Sequence, residues 1–404
     1  MNPLRRIQVS YEQNSRNVDL KLISLAIISI ACGFPLFLLQ MILSPVILIK
    51  CTRISAHRIG HMILEVDWYL SSSESRPRTK SLFFFATSKP VNSEFRSIAT
   101  SLMSFVPRFF GYGTYFWNRA FRLTKFIDQI PNESDDFLLF DSNTNGFIPS
   151  SSFLKRGEEL KCLMGIEKDQ KIACFYVRDG SYARKEFGHI DQSFADYRDS
   201  TLENYVESML YLAERNYFVI RMGKYSDKVL ETNHPNVLDY CNSGFQSDFA
   251  DIFLSYAAEF AISTDTGMTH LPLFFRKPLG LVNVAGFHGL LHSRLVKYVI
   301  PKTYLNMRSG SELTLQNIFE SGLASIKSSA ELEAANIRLI ECTSEEILGL
   351  TADVLSTINS TDSALKTHIP LDAFSLQISQ YRNKPYYSEL SSVWKRNHPT
   401  FLAV

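Results

Sequence analysis

Residues 171–283 repeat one unit: a short apolar strand, a polar loop at its carboxyl end, then an amphipathic helix. The pattern restricts this part of the chain to a parallel sheet with right-handed crossovers, since consecutive parallel strands need a helix-length return between them. Ile172 to Val177, Tyr217 to Ile220, Val237 to Tyr240, Phe260 to Ser263 and Leu279 to Val284 read as its strands. Ser200-Thr201-Leu202-Glu203 spells a capping box ahead of a helix with Leu202, Tyr205, Val206, Met209, Leu210 and Ala213 on one face. Ser247-Asp248 caps a second helix, and a third is expected from about Met268 to Phe275. Open parallel sheets bind ligands beyond the carboxyl ends of their strands. The loops there read Arg178-Asp179, Arg221-Met222-Gly223, Asp239-Tyr240 and Thr264-Asp265-Thr266-Gly267. Cations, hydroxyls and a helix-opening glycine on one rim point to an anionic ligand, with a phosphate as the natural candidate.

A chain of 404 residues suffices for two domains with appendages. A net charge of +1 excludes a nucleic-acid binder that relies on a broad basic surface, so anion binding has to be local. The six cysteines form no C-x-x-C pair, which signals neither a zinc site nor a disulfide framework and fits a reducing compartment. The rim lacks the Asp-x-Asp spacing that would hold a divalent ion on a diphosphate, so neither a metal nor a separate cofactor is expected. Asp196-Tyr197-Arg198-Asp199, the nearest acidic pair, reads as a solvated loop.

Leu22 to Ile49 contains 28 residues without a charged side chain, bounded by Lys21 and Lys50. About 20 apolar residues cross a bilayer core, so membrane association through residues 22–49 is expected. Gly33-Phe34-Pro35 allows either one helix kinked at Pro35 or a hairpin that dips in and returns. Basic residues on both flanks leave orientation open.

The stretch from Arg53 to Gly165 is weaker. Arg58-Ile59-Gly60-His61 reads as a turn opening a helix that includes Ile63, Leu64 and Trp68, and Ser81 to Ala86 as a buried strand. Gly111, Gly113 and Asn143-Thr144-Asn145-Gly146 read as turns. Beyond the sheet, Glu331 to Ile340 and Ser344 to Thr357 read as helices.

Thr264-Asp265-Thr266-Gly267-Met268-Thr269-His270-Leu271 resembles the D-[ST]-G-x-x-H-[LI] signature of bacterial heptosyltransferases, which use a nucleotide-activated sugar. The resemblance covers roughly Lys171 to Val284. It implies an α/β fold with two facing Rossmann-like domains of the GT-B type, here preceded by the apolar helix or hairpin. It also implies that Thr264, Asp265, Thr266, Gly267 and His270 lie beside the donor's nucleotide and phosphates, with Arg178 and Arg221 as phosphate clamps. Gly223 on that rim is a further nucleotide-sugar-binding candidate, and Asp239, Tyr240 and the Asn283 to His288 loop are candidates for reading base or ribose.

Transfer to an acceptor hydroxyl needs a base within hydrogen-bond reach. Heptosyltransferases carry an Asp directly after an Ile-Gly at the start of the first domain, whereas this chain has His61 after Ile59-Gly60. His61 is the candidate base, with Asp179, Glu65 and Asp67 as alternatives, and Arg178 would steady the leaving group. The expected division is a polar tail (1–21), a membrane segment (22–50), an acceptor domain (51–165), a nucleotide-sugar domain (166–340) and carboxyl-terminal helices at the domain junction (341–404). The expected activity is glycosyl transfer from a nucleotide sugar to a glycan or lipid-linked acceptor, at the cytoplasmic face of a bacterial membrane and without nucleic acid. A nucleotide-sugar epimerase or a non-catalytic glycan-binding protein on the same scaffold stands as the alternative.

Overall fold

The computed structural model of the protein describes residues 20–72, 78–87, 89–127, 145–188, 193–287, 290–291, 293–360 and 372–403. The polar lead before residue 20, Asn143, Thr144 and His288 therefore lie outside the described residues. The chain forms two compact units. Unit 1 draws on Met1–His57, Ser73–Val91 and Ile98–Ile130, and unit 2 on Arg58–Ser72, Asn92–Ser97 and Pro131–Val404.

In chain order the first elements are α1 (Leu20–Leu43), β1 (Leu48–Ile54), α2 (Ile59–Ser72), β2 (Thr79–Phe85), α3 (Ser93–Leu102) and α4 (Arg108–Ala120). In unit 1, β1 and β2 pair in parallel from Leu48 opposite Thr79 to Ile54 opposite Phe85. Cys51, Ile54, Phe83 and Phe84 are buried, and the Phe85 ring stacks on Phe105 at 4.3 Å. The apolar segment is one continuous helix through Pro35 rather than a hairpin, and its last residues, Leu48 to Lys50, belong to β1.

Gly111 and Gly113 do not form turns. They lie inside α4, where their missing side chains admit close neighbours. A Cβ at Gly113 would strike the backbone of Ser29 in α1, and one at Gly111 the ring of Phe84. The two helices cross where Gly33 faces Gly113, and donors on α4 reach carbonyls of α1 around Pro35. Trp117 Nε1 donates to the Ile30 carbonyl at 2.8 Å and Thr114 Oγ1 to that of Gly33 at 3.1 Å.

Unit 2 adds α5 (Ser151–Leu163), β3 (Lys171–Tyr176), α6 (Ser181–Phe187), α7 (Val206–Ala213), β4 (Tyr217–Met222), β5 (Val237–Asp239), α8 (Asp248–Ala257), β6 (Phe260–Ser263), α9 (His270–Phe274) and β7 (Leu279–Val284). There follow β8 (Val296–Pro301), β9 (Thr303–Asn306), α10 (Leu315–Glu320), α11 (Ser329–Ala334), β10 (Ile337–Ile340), α12 (Ser344–Asn359), α13 (Ala373–Arg382), β11 (Glu389–Leu390) and α14 (Ser392–Asn397). Seven strands make one sheet in the order β11-β8-β7-β6-β3-β4-β5. Every pair in it is parallel. The first six strands thus run 3-2-1-4-5-6, the doubly wound order that binds nucleotides where the direction of winding reverses.

Two local expectations are corrected. The capping box expected at Ser200 to Glu203 does not form: Ser200 Oγ accepts from Asn283 at 3.1 Å and the Thr201 amide and hydroxyl bond to Glu341 at 2.7 and 3.3 Å, with Leu202–Tyr205 a 3-10 turn and the α-helix beginning at Val206. Glu331 to Ile340 is a short helix followed by β10 rather than one helix, broken at Asn336 with φ of 55°. The carboxyl tail folds back on its own sheet, with β11 beside β8 and Trp394 packed edge-on against Phe401 at 4.8 Å.

Candidate functional site

Because β3 lies between β4 and β6, the crevice of the sheet opens between the loops that follow β3 and β6. These loops are bonded to each other. The Arg178 amide donates to Thr264 Oγ1 at 3.0 Å, and Thr264 donates to the Tyr176 carbonyl through both its amide (2.9 Å) and its hydroxyl (3.2 Å). Within the second loop Thr269 Oγ1 receives the Thr266 amide and donates to the Thr264 carbonyl, which fixes the turn around Gly267. In the first loop Gly180 has φ of 71°, a left-handed conformation suited to glycine.

A third loop laces the two together. Arg198 contacts Asp265 at its carboxylate (2.9 Å) and its carbonyl (2.7 Å), and the Ser200 amide donates to the Arg178 carbonyl at 2.8 Å. Arg178 Nε lies 2.8 Å from Asp199, and buried Lys302 donates to the Asp199 carbonyl at 2.5 Å. The segment Asp196 to Asp199 is therefore a latch across the crevice, not a solvated loop. Its partners come from distant strands, so local sequence carried no sign of this.

Helix α2 brings the fourth component. Although it follows β1 in the chain, it belongs to unit 2. Its second residue, Gly60, touches Gly267 backbone to backbone, and a Cβ there would lie 2.7 Å from the Gly267 Cα. Two turns further on, Asp67 forms a bidentate ion pair with Arg276 at 2.8 and 2.9 Å, and Asn145 donates to Asp67 at 3.4 Å. Fixed at both points, α2 holds His61 near enough to His270 for its charge to bear on that ring. Arg58 and Lys224 both act on Tyr182 in α6, which places the start of α2 and the loops after β3 and β4 around one region.

Several sequence candidates have other tasks here. Arg221 is not a phosphate clamp. It sits within β4, in register with Asp239 on β5, its side chain is 2% exposed, and it is bonded to Asp239 (3.1 Å), Ser226 (2.7 Å) and Asp179 (3.5 Å). Asp179 accepts from Ser226 at 2.5 Å and from the Ser181 amide at 3.1 Å, which commits it to the same strut rather than to proton transfer. Asp239 also takes the Leu230 amide and Asn242, and Tyr240 is buried with its hydroxyl on Asp251 at 2.8 Å, so neither reads a base or ribose. The Gly223 carbonyl accepts from Gln246 at 3.2 Å. Asp67 has both carboxylate oxygens on Arg276 and is not free to act as a base. The helix expected from Met268 begins as a 3-10 turn, Gly267–Thr269, and its α-helical part is five residues long, so the dipole offered to an anion is small.

Burial pushes the His270 imidazole down to about 4, opposed by nearby Asp265 and reinforced by His61, so the ring is neutral at physiological pH. It can then give one N–H bond and accept another. Burial also raises Asp199, against the pull of Arg178, and lowers Lys302, against Glu341 and Asp199. At the rim Arg184 pairs with Asp227 (2.7 Å) and Lys224 with Glu186 (2.8 Å); these pairs are exposed, and such pairs exchange partners at small cost. The residues brought together are Arg178, Thr264 to Gly267 and His270, with His61 joining them. No local pattern marks Arg58, Arg198, Tyr182, Lys224 or Lys302 as members of this rim.

No family model matches the chain, and no curated protein matches it. Four chains of solved structures do. One is the ADP-heptose lipopolysaccharide heptosyltransferase II of E. coli, 11% identical, covering 77% of this chain and 100% of that one, with a TM-score of 0.46. Another is a family 9 glycosyl transferase from Veillonella parvula, 10% identical, covering 76% and 97%, with a TM-score of 0.42.

Proposed function

We propose that this protein is a glycosyltransferase that moves a sugar from a nucleotide-sugar donor to a glycan or lipid-linked acceptor in bacterial surface polysaccharide synthesis, working at the cytoplasmic face of the membrane. The supporting observation is the meeting, at the reversal point of a 3-2-1-4-5-6 sheet, of Arg178 with Thr264 and of the Gly60-His61 turn with Gly267 and His270. In this reading the donor diphosphate lies over the turn at Thr266-Gly267. Arg178 and the neutral His270 bond its oxygens, and Asp265, latched by Arg198, faces the nucleoside.

The acceptor oxygen forms a bond to the anomeric carbon as the bond from that carbon to the phosphate oxygen breaks. His61 takes the acceptor's proton, and the negative charge that develops on the departing phosphate oxygen falls to Arg178 and the loop amides, fixed donors aimed at developing charge. Cationic side chains replace a metal in this scheme. A two-domain GT-B layout belongs to the same proposal; the described part of unit 1 contributes two parallel strands toward it.

Thermal shift across a panel of uridine, guanosine, adenosine and cytidine sugar nucleotides tests the proposal, because a ligand that binds only the native state raises its melting temperature. One donor should stabilise the protein, and Arg178→Ala, shown folded, should bind its diphosphate at least about tenfold more weakly. Unchanged affinity in that variant, or no response to any donor, would refute the reading. Donor incubated without acceptor should stay unisomerised, which separates transfer from epimerisation.

A further inference from the structure

We infer that α1 and α4 together form a platform that lies in one leaflet of an anionic lipid membrane, with α1 embedded lengthwise and not crossing it. Ser24–Leu43 is by length and composition able to cross, with mean hydropathy 2.2, yet its buried stripe is already occupied. Gly33, Phe37 and Gln40 pack on α4: Gln40 receives Asn118 Nδ2 at 2.9 Å and donates to the Ile49 carbonyl at 3.1 Å. Helix α4 is in turn attached along β1 and β2. The Val106 amide donates to the Phe83 carbonyl (2.8 Å), Tyr112 to that of Ala86 (2.7 Å), and the Phe84 ring fills the space beside Gly111. A crossing α1 would have to drag those polar groups into hydrocarbon or abandon them.

The opposite surface of the pair is apolar and open. Ile27 and Ile42 are exposed along α1 with Val46 just beyond its end, and Phe109 and Phe116 along α4 with Phe121 at its carboxyl cap. An aromatic row joins the two helices: Phe34 lies 5.1 Å from Trp117, Phe37 5.6 Å from Phe121, and Phe116 5.6 Å from Trp117. Exposed apolar patches spanning two helices are rare on soluble proteins, and aromatic side chains favour the lipid–water boundary.

Charge selects the lipid. Residues 24–57, 78–91 and 98–127 hold nine lysines and arginines and no aspartate or glutamate, although the whole chain has a net charge of only +1. Arg108, Arg119, Arg122 and Lys125 lie on or just beyond α4, next to the aromatic row. A cationic, aromatic, amphipathic surface of this kind binds an anionic leaflet in its plane. The inference does not depend on the chemistry proposed for unit 2.

The full chain, diluted from detergent, should float with phosphatidylglycerol vesicles at least tenfold better than with phosphatidylcholine, and less at high salt. Phe109→Ser with Phe116→Ser should lower flotation at least tenfold, and Arg119→Glu with Arg122→Glu should abolish the preference for phosphatidylglycerol; circular dichroism checks that each is folded. If the phenylalanine pair fails to fold, the arginine pair still decides. Tags at the two chain ends should both be open to protease on the same side of sealed vesicles. Equal binding to both lipids, undiminished binding by the folded variants, or tags on opposite sides would overturn the inference.

Discussion

Asp67 and Arg276 meet through two charge-assisted hydrogen bonds of 2.8 and 2.9 Å although 209 residues separate them in the chain. The Asp67 side chain is 4% exposed. Removing one partner leaves a buried charge without its counterion, which typically costs about 3–5 kcal/mol. Arg276→Met, which strands the buried Asp67 carboxylate, should lose that much in urea unfolding, and a loss under about 1 kcal/mol would show that the pair does not hold α2 in place.

Arg221 and Arg178 should separate cleanly. Arg221→Met leaves the clustered carboxylates of Asp179 and Asp239 facing each other without a cation, so stability should fall by about 3 kcal/mol or more. Arg178→Met should cost about 1 kcal/mol or less, because its ion pair with Asp199 is partly exposed to water. Equal losses in denaturant titrations would contradict the distinction between strut and rim.

Gly60→Ala forces a methyl group against the Gly267 backbone, where nothing can rotate away. Overpacking of this kind costs about 1–3 kcal/mol. Donor affinity, read by calorimetry, should fall along with stability, since the displaced loop is the one proposed to carry the diphosphate. Loss of stability with full affinity would place the donor elsewhere.

His270 is neutral in the folded protein down to a pH of about 4, whereas an unfolded histidine takes a proton near 6.5. As pH falls from 6.5 toward 4 the unfolded chain binds the extra proton, so this residue lowers stability by up to about 3 kcal/mol across that window. His270→Gln should remove this contribution, and the stability difference between variant and parent should change between pH 7 and pH 4. A constant difference would show that the ring is solvated.

Asp251 acts in the opposite direction. Burial raises its carboxyl from 3.8 to about 7, despite a hydrogen bond from Tyr240. The folded state then holds a proton that the unfolded state releases, and stability is lost as pH rises from 3.8 through 7. Asp251→Asn should be more stable than the parent at pH 8 by about 2–4 kcal/mol, with the gain vanishing near pH 4. Between pH 4 and 6.5 the contributions of these two residues have opposite sign.

The sequence revealed the sheet where strands were continuous apolar runs. Phe260–Ser263 and Leu279–Val284 were legible to the residue because all their positions are buried. β8 was missed because Lys297 and Tyr298 interrupt its apolar character at half-buried positions, and β11 is too short to signal at all. The position of Arg221 differs from expectation for a related reason. A strand ending at Ile220 would have placed it on the rim, but β4 continues through Met222, so Arg221 faces Asp239 inside the ladder.

The Thr264 to His270 turn was legible because hydroxyl, glycine and imidazole follow one another along the chain. The latch from Arg198 to Asp265 and the clamp from Asp67 to Arg276 were not, since no local pattern distinguishes an arginine that will find a distant carboxylate from one that stays in water. The missing interior side chains at Gly111 and Gly113 were mistaken for bends for the same reason: a helix opposite them had to be known first.

The two units are interleaved along the chain, which passes from one to the other after His57, Ser72, Val91, Ser97 and Ile130. Neither can be excised with a single cut. A fragment begun at Pro131 would keep the entire seven-stranded sheet yet forfeit His61 and the helix that presents it, and a graft of the amino-terminal third onto another protein would carry that helix away from its anchor. Swapping halves between related chains, an easy route to new acceptor specificity where boundaries are simple, would here require five matched junctions.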